Sequence, residues 1–286
     1  MIVNSRKAPP FWLTLPSVQF RRSPWFYFKY DMVWAFFLII AIGLMHFFAW
    51  QGIATSWDPI LILYFAIFSC VQVWSGVFVH NATHRNFPRP INRLVGELMG
   101  ALIVSRFASW EILHSQHHSY SDIVGKDPHP VCPSFWRFFF GQMIGNLEPN
   151  LHMQYFQRWG DTPQHRRREN FRSIVSFSTM IVLVFFWYTL FGFYGFFAVF
   201  VPAVIVGILH VSHFNWITHD AHNPEQNFKP TNFDEGLFWL GNRLFFGIYY
   251  HENHHKNSSL FNPMHYDKYQ KARMEKKKAS AEAPKA

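Results

Sequence analysis

Two long stretches of this chain contain no lysine or arginine: Met32 to His80 and Ser173 to His213. All 26 basic residues lie outside them, 5 before the first stretch, 11 between the two and 10 after the second. A helix that crosses a bilayer needs roughly 20 apolar residues, so each stretch is long enough to cross twice. The first divides at "QGIATSWDP" (Gln51 to Pro59) and the second near "LFGFYG" (Leu190 to Gly195). The alternative is a soluble protein with buried core helices, but core helices rarely exclude charge this completely. The pattern predicts an all-α integral membrane protein with four transmembrane helices in two hairpins.

The positive-inside rule orients the hairpins. The N-terminus, the central segment and the C-terminus hold every Lys and Arg, which predicts that all three are cytoplasmic and both hairpin turns external. The expected organisation is a cytoplasmic N-terminal segment (1–31), hairpin 1 (32–80), a cytoplasmic cap with amphipathic helices (81–172), hairpin 2 (173–213), a second cap segment (214–265) and a basic tail (266–286). The net charge of +9 is mostly a topology signal, with a share available for anionic headgroups. A nucleic-acid partner does not suit a multi-pass chain. Cys70 falls in a predicted span and Cys132 in the cytoplasmic segment, so no disulfide framework is expected. The opening "MIVNSRKAPPFWLTLP" does not read as a signal peptide, and "YQKARMEKKKASAEAPKA" reads as a frayed helix or disordered tail.

Histidine is the second signal. Twelve of the 17 histidines fall at the cytoplasmic ends of the predicted spans or in the cytoplasmic segments, in tight groups. These are "HNATH" (His80, His84), "HSQHH" (His114, His117, His118), "HVSHFNWITHDAH" (His210, His213, His219, His222) and "HENHH" (His251, His254, His255). Helical i, i+3 and i+4 spacings bring each group of two or three imidazoles to one face, and imidazole suits zinc, copper, iron and nickel. At this chain's histidine frequency an H-x-x-H-H arises by chance in about one such chain in twenty. Two of them beside an H-x-x-x-H are much rarer.

"HENHH" also reads as H-E-x-x-H, a zinc-protease signature. That reading uses two histidines and leaves at least six clustered ones unexplained. Zinc takes three or four protein ligands, whereas about nine imidazoles suit two metals with open positions. A metal transporter or sensor is the rival from another class. It would place ligands within the spans, along a pathway, and only His46 lies deep in one.

At these residues the chain resembles the membrane fatty-acid desaturase and hydroxylase superfamily, whose three histidine boxes "HNATHRNF", "HSQHH" and "HENHH" match in order and spacing over about Ala66 to Pro263. "HHSYSDIVGKDPHP" and "NWITH" are similar to elements of the acyl-CoA desaturase branch. The first box has three intervening residues, as in acyl-lipid desaturases, sphingolipid desaturases and carotenoid ketolases, where the acyl-CoA branch has four. The resemblance implies a non-haem di-iron centre in the cytoplasmic cap. Two irons would be bound by His80, His84, His114, His117, His118, His219, His251, His254 and His255, with Asn215 acting through water. It further implies an O2-dependent oxidoreductase that desaturates a lipid acyl chain. A hydroxylase, ketolase or oxidative decarboxylase of a lipid or carotenoid would use the same site. No H-P-G-G motif of a fused cytochrome b5 occurs, so a separate donor is expected: a ferredoxin, rubredoxin or cytochrome b5-like protein with its reductase. A bacterial inner membrane is expected rather than the endoplasmic reticulum.

A His-only site is highly cationic, and nearby acids offset this and fix ring tautomers. Glu111, Asp122, Asp127, Asp220 and Glu252 are the candidates. Trp74, Phe78, Phe107, Trp110, Phe214 and Trp216 are candidate lining for an acyl tunnel. Around the fourth span, about 100° per residue puts His210 and His213 on one face and Asn215, His219 and His222 on a nearly opposite one. His222, two residues before Pro224, is expected to support the site rather than bind metal.

Overall fold

The computed structural model describes residues 10–219 and 230–282, apart from the side chains of Trp12 and residues 279–282. These residues form helices and no named strand. In chain order they are α1 (Pro16–Phe20), α2 (Phe26–Phe47), α3 (Ile60–Thr83), α4 (Asn92–Leu102), α5 (Phe107–Tyr120), α6 (Phe135–Arg137), α7 (Leu147–Trp159), α8 (Pro163–Gly195), α9 (Val201–Thr218), α10 (Leu237–Leu244), α11 (His251–Lys256) and α12 (Tyr266–Glu282). A π-helical stretch follows α6 (Phe138–Gly145) and another joins α8 to α9 (Phe196–Phe200).

Among the described residues, three continuous helical stretches are long and apolar enough to cross a membrane: Phe26–Phe47, Ile60–Thr83 and Pro163–Thr218. The third has 56 residues, but Gly192 breaks it with φ 70° and ψ 171°. In a straight helix Trp187 and Phe200 would stand about 20 Å apart at 1.5 Å per residue. Their rings stack at 5.1 Å, and Phe191 meets Phe200 at 5.3 Å. The chain therefore reverses at Gly192, within the Leu190–Gly195 turn read from the sequence.

The α2–α3 connection lies against this reversal. Ile53 N–H donates to the Leu190 carbonyl (3.1 Å) and Ala54 N–H to that of Phe191 (3.2 Å). Gly52, at φ +94°, approaches Gly192 so closely that a Cβ on it would sit 2.5 Å from the Gly192 Cα. Below this crossing, Leu38, Leu61, Leu183 and Phe191 pack as one cluster with Phe196 and Phe200. The outer faces carry exposed Phe36, Phe37, Ile62, Leu63, Phe177 and Ile181. An apolar surface of that extent marks contact with lipid or another protein.

Two largely buried carboxylates among these helices are paired with arginines. Asp31 on α2, fully buried, accepts from Arg106 at 2.6 Å and is bonded by Ser176 of α8. Glu97 of α4 accepts from Arg93 (3.1 Å), Trp34 (3.2 Å) and Tyr30. These bonds tie α2, α4, the start of α5 and α8 into one frame, and breaking such a buried pair costs about 3–5 kcal/mol. Out of that frame α5 projects the second histidine box.

Candidate metal centre

Four elements converge at one end of this frame. His80 lies in the last turn of α3 and His84 caps it. His114, His117 and His118 occupy the end of α5, and His219 caps α9. α11 carries His251, His254 and His255 in only six residues, too short to be stable alone. It is fixed by Asn253, whose N–H donates to Asn232 Oδ1 (3.2 Å) and whose amide donates to the Pro263 carbonyl (3.2 Å).

The nine imidazoles fall into two groups. His80, His84, His114, His118 and His254 form one; His117, His219, His251 and His255 form the other. Within each, one ring nitrogen per residue lies within 4.8 Å of all the rest. His114 Nε2 is 3.0 Å from His84 Nε2 and 3.0 Å from His118 Nε2, which is 3.0 Å from His254 Nε2. In the second group His251 Nε2 is 2.9 Å from His219 Nε2 and 3.2 Å from His255 Nε2. Two nitrogens each about 2.1 Å from one ion and at right angles about it are about 3.0 Å apart. The His118 and His255 rings stack at 4.5 Å and join the groups. His80 Nε2 and His117 Nε2 are buried without a hydrogen-bond partner, a state expected of ligand atoms rather than of packed histidines. The donor set therefore fits two metal ions, one in each group.

Carboxylates hold the rings from behind. Asp127 accepts from His117 Nδ1 at 2.9 Å, and Asp122 accepts from His219 Nδ1 at 2.6 Å. Each bond puts a proton on Nδ1 and frees the Nε2 lone pair for the centre. The two aspartates share one loop, in which Asp122 N–H also donates to Asp127 Oδ2 at 2.6 Å. Burial raises the Asp127 pKa, but the His117 hydrogen bond and the charges of His117 and His129 outweigh it and hold the carboxyl below its usual range. Burial, then neighbouring imidazoles, lowers His84 to about 4 and His255 to about 2, and takes His114, His251 and His254 well below 6.5. These five rings are thus neutral at pH 7, as metal ligands must be.

The structure brings together all nine histidines named from the sequence. Asn215 lines the cavity beside His80 and His114, and its amide donates to the Val211 carbonyl at 2.8 Å. Glu111 does not hold a histidine; it accepts from the Ser17 N–H and hydroxyl, both at 2.6 Å. Glu252 pairs with Lys256 at 2.6 Å and Asn232 at 3.1 Å. Asp220 and His222 lie outside the described residues. His210 and His213 join neither group; they line a separate groove beside α10 and Tyr249. His129, not singled out from the sequence, stacks on His117 at 4.4 Å and forms a third, smaller cluster with His117 and Asp127. Its place in "DPHP" was the available signal.

A cavity of about 450 Å³ opens beneath the five-histidine group, lined by His80, His114 and apolar side chains such as Leu113, Met143, Ile208 and Val211. Of the six aromatics proposed as lining, Trp110 and Phe214 do line it. Trp74 instead bonds the Leu244 carbonyl, Phe78 packs with Phe87, Phe246 and Phe261, Phe107 is buried beside Val79 and Ala82, and Trp216 bonds the Cys132 carbonyl.

The comparisons with known proteins agree with this site. The chain is 30% identical over 95 residues to an sn-1 oleoyl-lipid 12-desaturase of Picosynechococcus sp. (strain PCC 7002), covering 25% of this chain and about a quarter (27%) of that relative. No solved structure matches the chain. The family model for fatty acid desaturases matches residues 55–284, which takes in all three boxes and both aspartates. The chain belongs to the fatty acid desaturase family.

Proposed function

We propose that this protein is an O2-dependent di-iron enzyme of the membrane that introduces a double bond into a lipid acyl chain. The observation that carries the reading is the division of nine imidazoles into groups of five and four, with the apolar cavity ending at the five. His80, His84, His114, His118 and His254 would hold one iron, and His117, His219, His251 and His255 the other. Asn215 would reach its iron through water. Bound there, two irons would supply electrons to O2 and the oxidising power to break an unactivated C–H bond.

The protein's own part is placement. Asp122 and Asp127 set the tautomers of His219 and His117. Leu113, Val211 and Phe214 exclude water where an alkyl chain would lie, and a cavity of this size falls within the range of small-molecule sites. The balance is one CH2–CH2 unit, one O2, two electrons and two protons giving one CH=CH unit and two waters. The two electrons require an external donor: a ferredoxin, rubredoxin or cytochrome b5-like protein. The relative's name supports an acyl-lipid substrate.

The reversal at Gly192 supports reading Pro163–Thr218 as two spans and the chain as four. In this arrangement both termini and residues 85–172 face the cytoplasm, in keeping with the basic residues, and a bacterial inner membrane is the expected location. The test is lipid profiling of a strain that expresses the protein together with a ferredoxin and its reductase. A new double bond, absent with His254→Ala, is the expected result. Iron-loaded protein that leaves every acyl chain unchanged, or that yields hydroxylated chains, overturns the reading.

A further inference from the structure

On α5, the helix that carries the second box, about 100° per residue puts His114, His117 and His118 within one arc. Ile112, Ser115, Gln116 and Ser119 occupy the opposite arc. That second arc floors a groove of about 480 Å³, walled by α1, α7 and the loop after α5. Arg21, Lys126 and Arg158 line it, and no acidic residue does. None of the three forms an ion pair among the described residues: Arg21 acts on the Glu111 carboxylate only through its charge, Arg158 bonds the Arg21 carbonyl (2.7 Å), and Lys126 lies over the Tyr120 ring (5.4 Å). The acids on the same elements are engaged elsewhere. Glu111 is held by Ser17, Asp122 by His219, Asp127 by His117, and Glu148 by Arg172.

The rim adds a second feature. Ile123 is 48% exposed and Val124 82% exposed. They form the tip of the loop whose roots, Asp122 and Asp127, hold His219 and His117. A bare aliphatic tip beside three cations that form no ion pair is the pattern of a protein-binding surface, with an apolar contact inside a charged rim. The position argues against lipid as the occupant. Ser121 lies 3.5 Å from His219, which is 27 residues beyond the Gly192 reversal. At 1.5 Å per residue this is about 40 Å along the helix, past the roughly 30 Å hydrocarbon core.

We infer that the groove on the outer face of α5, with its Ile123–Val124 tip, is the docking surface for a small acidic one-electron carrier protein. This rests on the proposed di-iron reading, which requires two electrons per double bond. A one-electron carrier docks twice per turnover, is oxidised each time, and is reduced again by its own reductase. Only the width of α5, about 10 Å, separates the groove floor from the imidazoles. Opposite charge would steer the encounter, and the apolar tip would hold it once formed.

The test is binding of an acidic [2Fe–2S] ferredoxin to the full chain in nanodiscs, with no lipid substrate present. Native protein should bind, and more weakly as salt rises. Arg21→Glu with Lys126→Glu and Arg158→Glu should weaken binding at least tenfold and flatten the salt response. Val124→Asp should weaken binding severalfold while iron content and thermal stability stay native. With dithionite as reductant, all variants should be reduced at the native rate. Unchanged ferredoxin affinity in the charge-reversed variant overturns the inference. So does quenching of a fluorophore at Val124→Cys by nitroxide-bearing lipids, which would make the tip a membrane contact. Intact docking by a protein that changes no lipid would instead sink the proposed reaction and leave the surface standing.

Discussion

Asp122→Ala isolates one metal position from the other. The Asp122 carboxylate accepts from His219 Nδ1 at 2.6 Å, and both residues are buried. Without it the Nδ1–H has only Ser121 Oγ at 3.5 Å, too far for a good bond. A buried donor left unpaired costs about 1–3 kcal/mol, and the ring is free to turn its Nε2 away from His251 Nε2, now 2.9 Å distant. Loss of such an outer partner lowers metal affinity about 10–100-fold, which is about 1.4–2.8 kcal/mol. Asp122 hydrogen-bonds Ser121, Asp127, Val131 and His219 and, among the described residues, no histidine of the five-membered group, so that site should stay within about twofold of native. Asp122→Asn keeps an acceptor oxygen for Nδ1–H and should lose less. The assay is anaerobic Fe2+ titration of metal-free protein in nanodiscs, resolving two affinities. Equal weakening of both sites, or of neither, would refute the division into five and four.

Three further outcomes follow from the same geometry. His219→Ala should lose iron and product, whereas His213→Ala, in the groove beside α10, should keep both irons; metal analysis of the two variants decides. Metal-free protein should lose stability as pH falls from about 6.5 to about 4. His84 protonates in the unfolded chain near 6.5 but in the folded one only near 4, so the unfolded state binds more protons in that window; denaturant melts at pH 7 and pH 4.5 check the sign. Ser56→Cys should react with an impermeant thiol reagent in sealed cells and Asp161→Cys should not. Labelling only at position 161 would reverse the orientation.

The boxes were legible because their chemistry is local: i, i+3 and i+4 spacing fixes which imidazoles share a helix face. The reversal near Gly192 was legible for a similar reason, since a chain this apolar must turn after about one bilayer thickness. What the sequence withheld is tertiary. His117 and His118 are neighbours on one helix yet serve different groups, because α3 brings His80 and His84 to His118 while α9 brings His219 to His117, and α11 reaches both. Glu111 looked as well placed as Asp122, but it faces Ser17 on α1, and no local pattern encodes that docking. The aromatics failed as tunnel markers for the same reason. Phe, Trp and leucine are equally at home in a core, against lipid or on a cavity wall, and only the packing of α3 on α5 and α9 sorts them. The Asp31–Arg106 pair was hidden because its partners lie 75 residues apart.

The claim at the centre is that nine imidazoles hold two irons. Metal analysis with Mössbauer spectroscopy on protein expressed with ⁵⁷Fe and purified without oxygen tests it directly. The expected result is about two irons per chain, in two environments of unequal imidazole number, both lost in His118→Ala with His255→Ala. One zinc per chain with no iron would contradict it and return "HENHH" to the two-histidine reading.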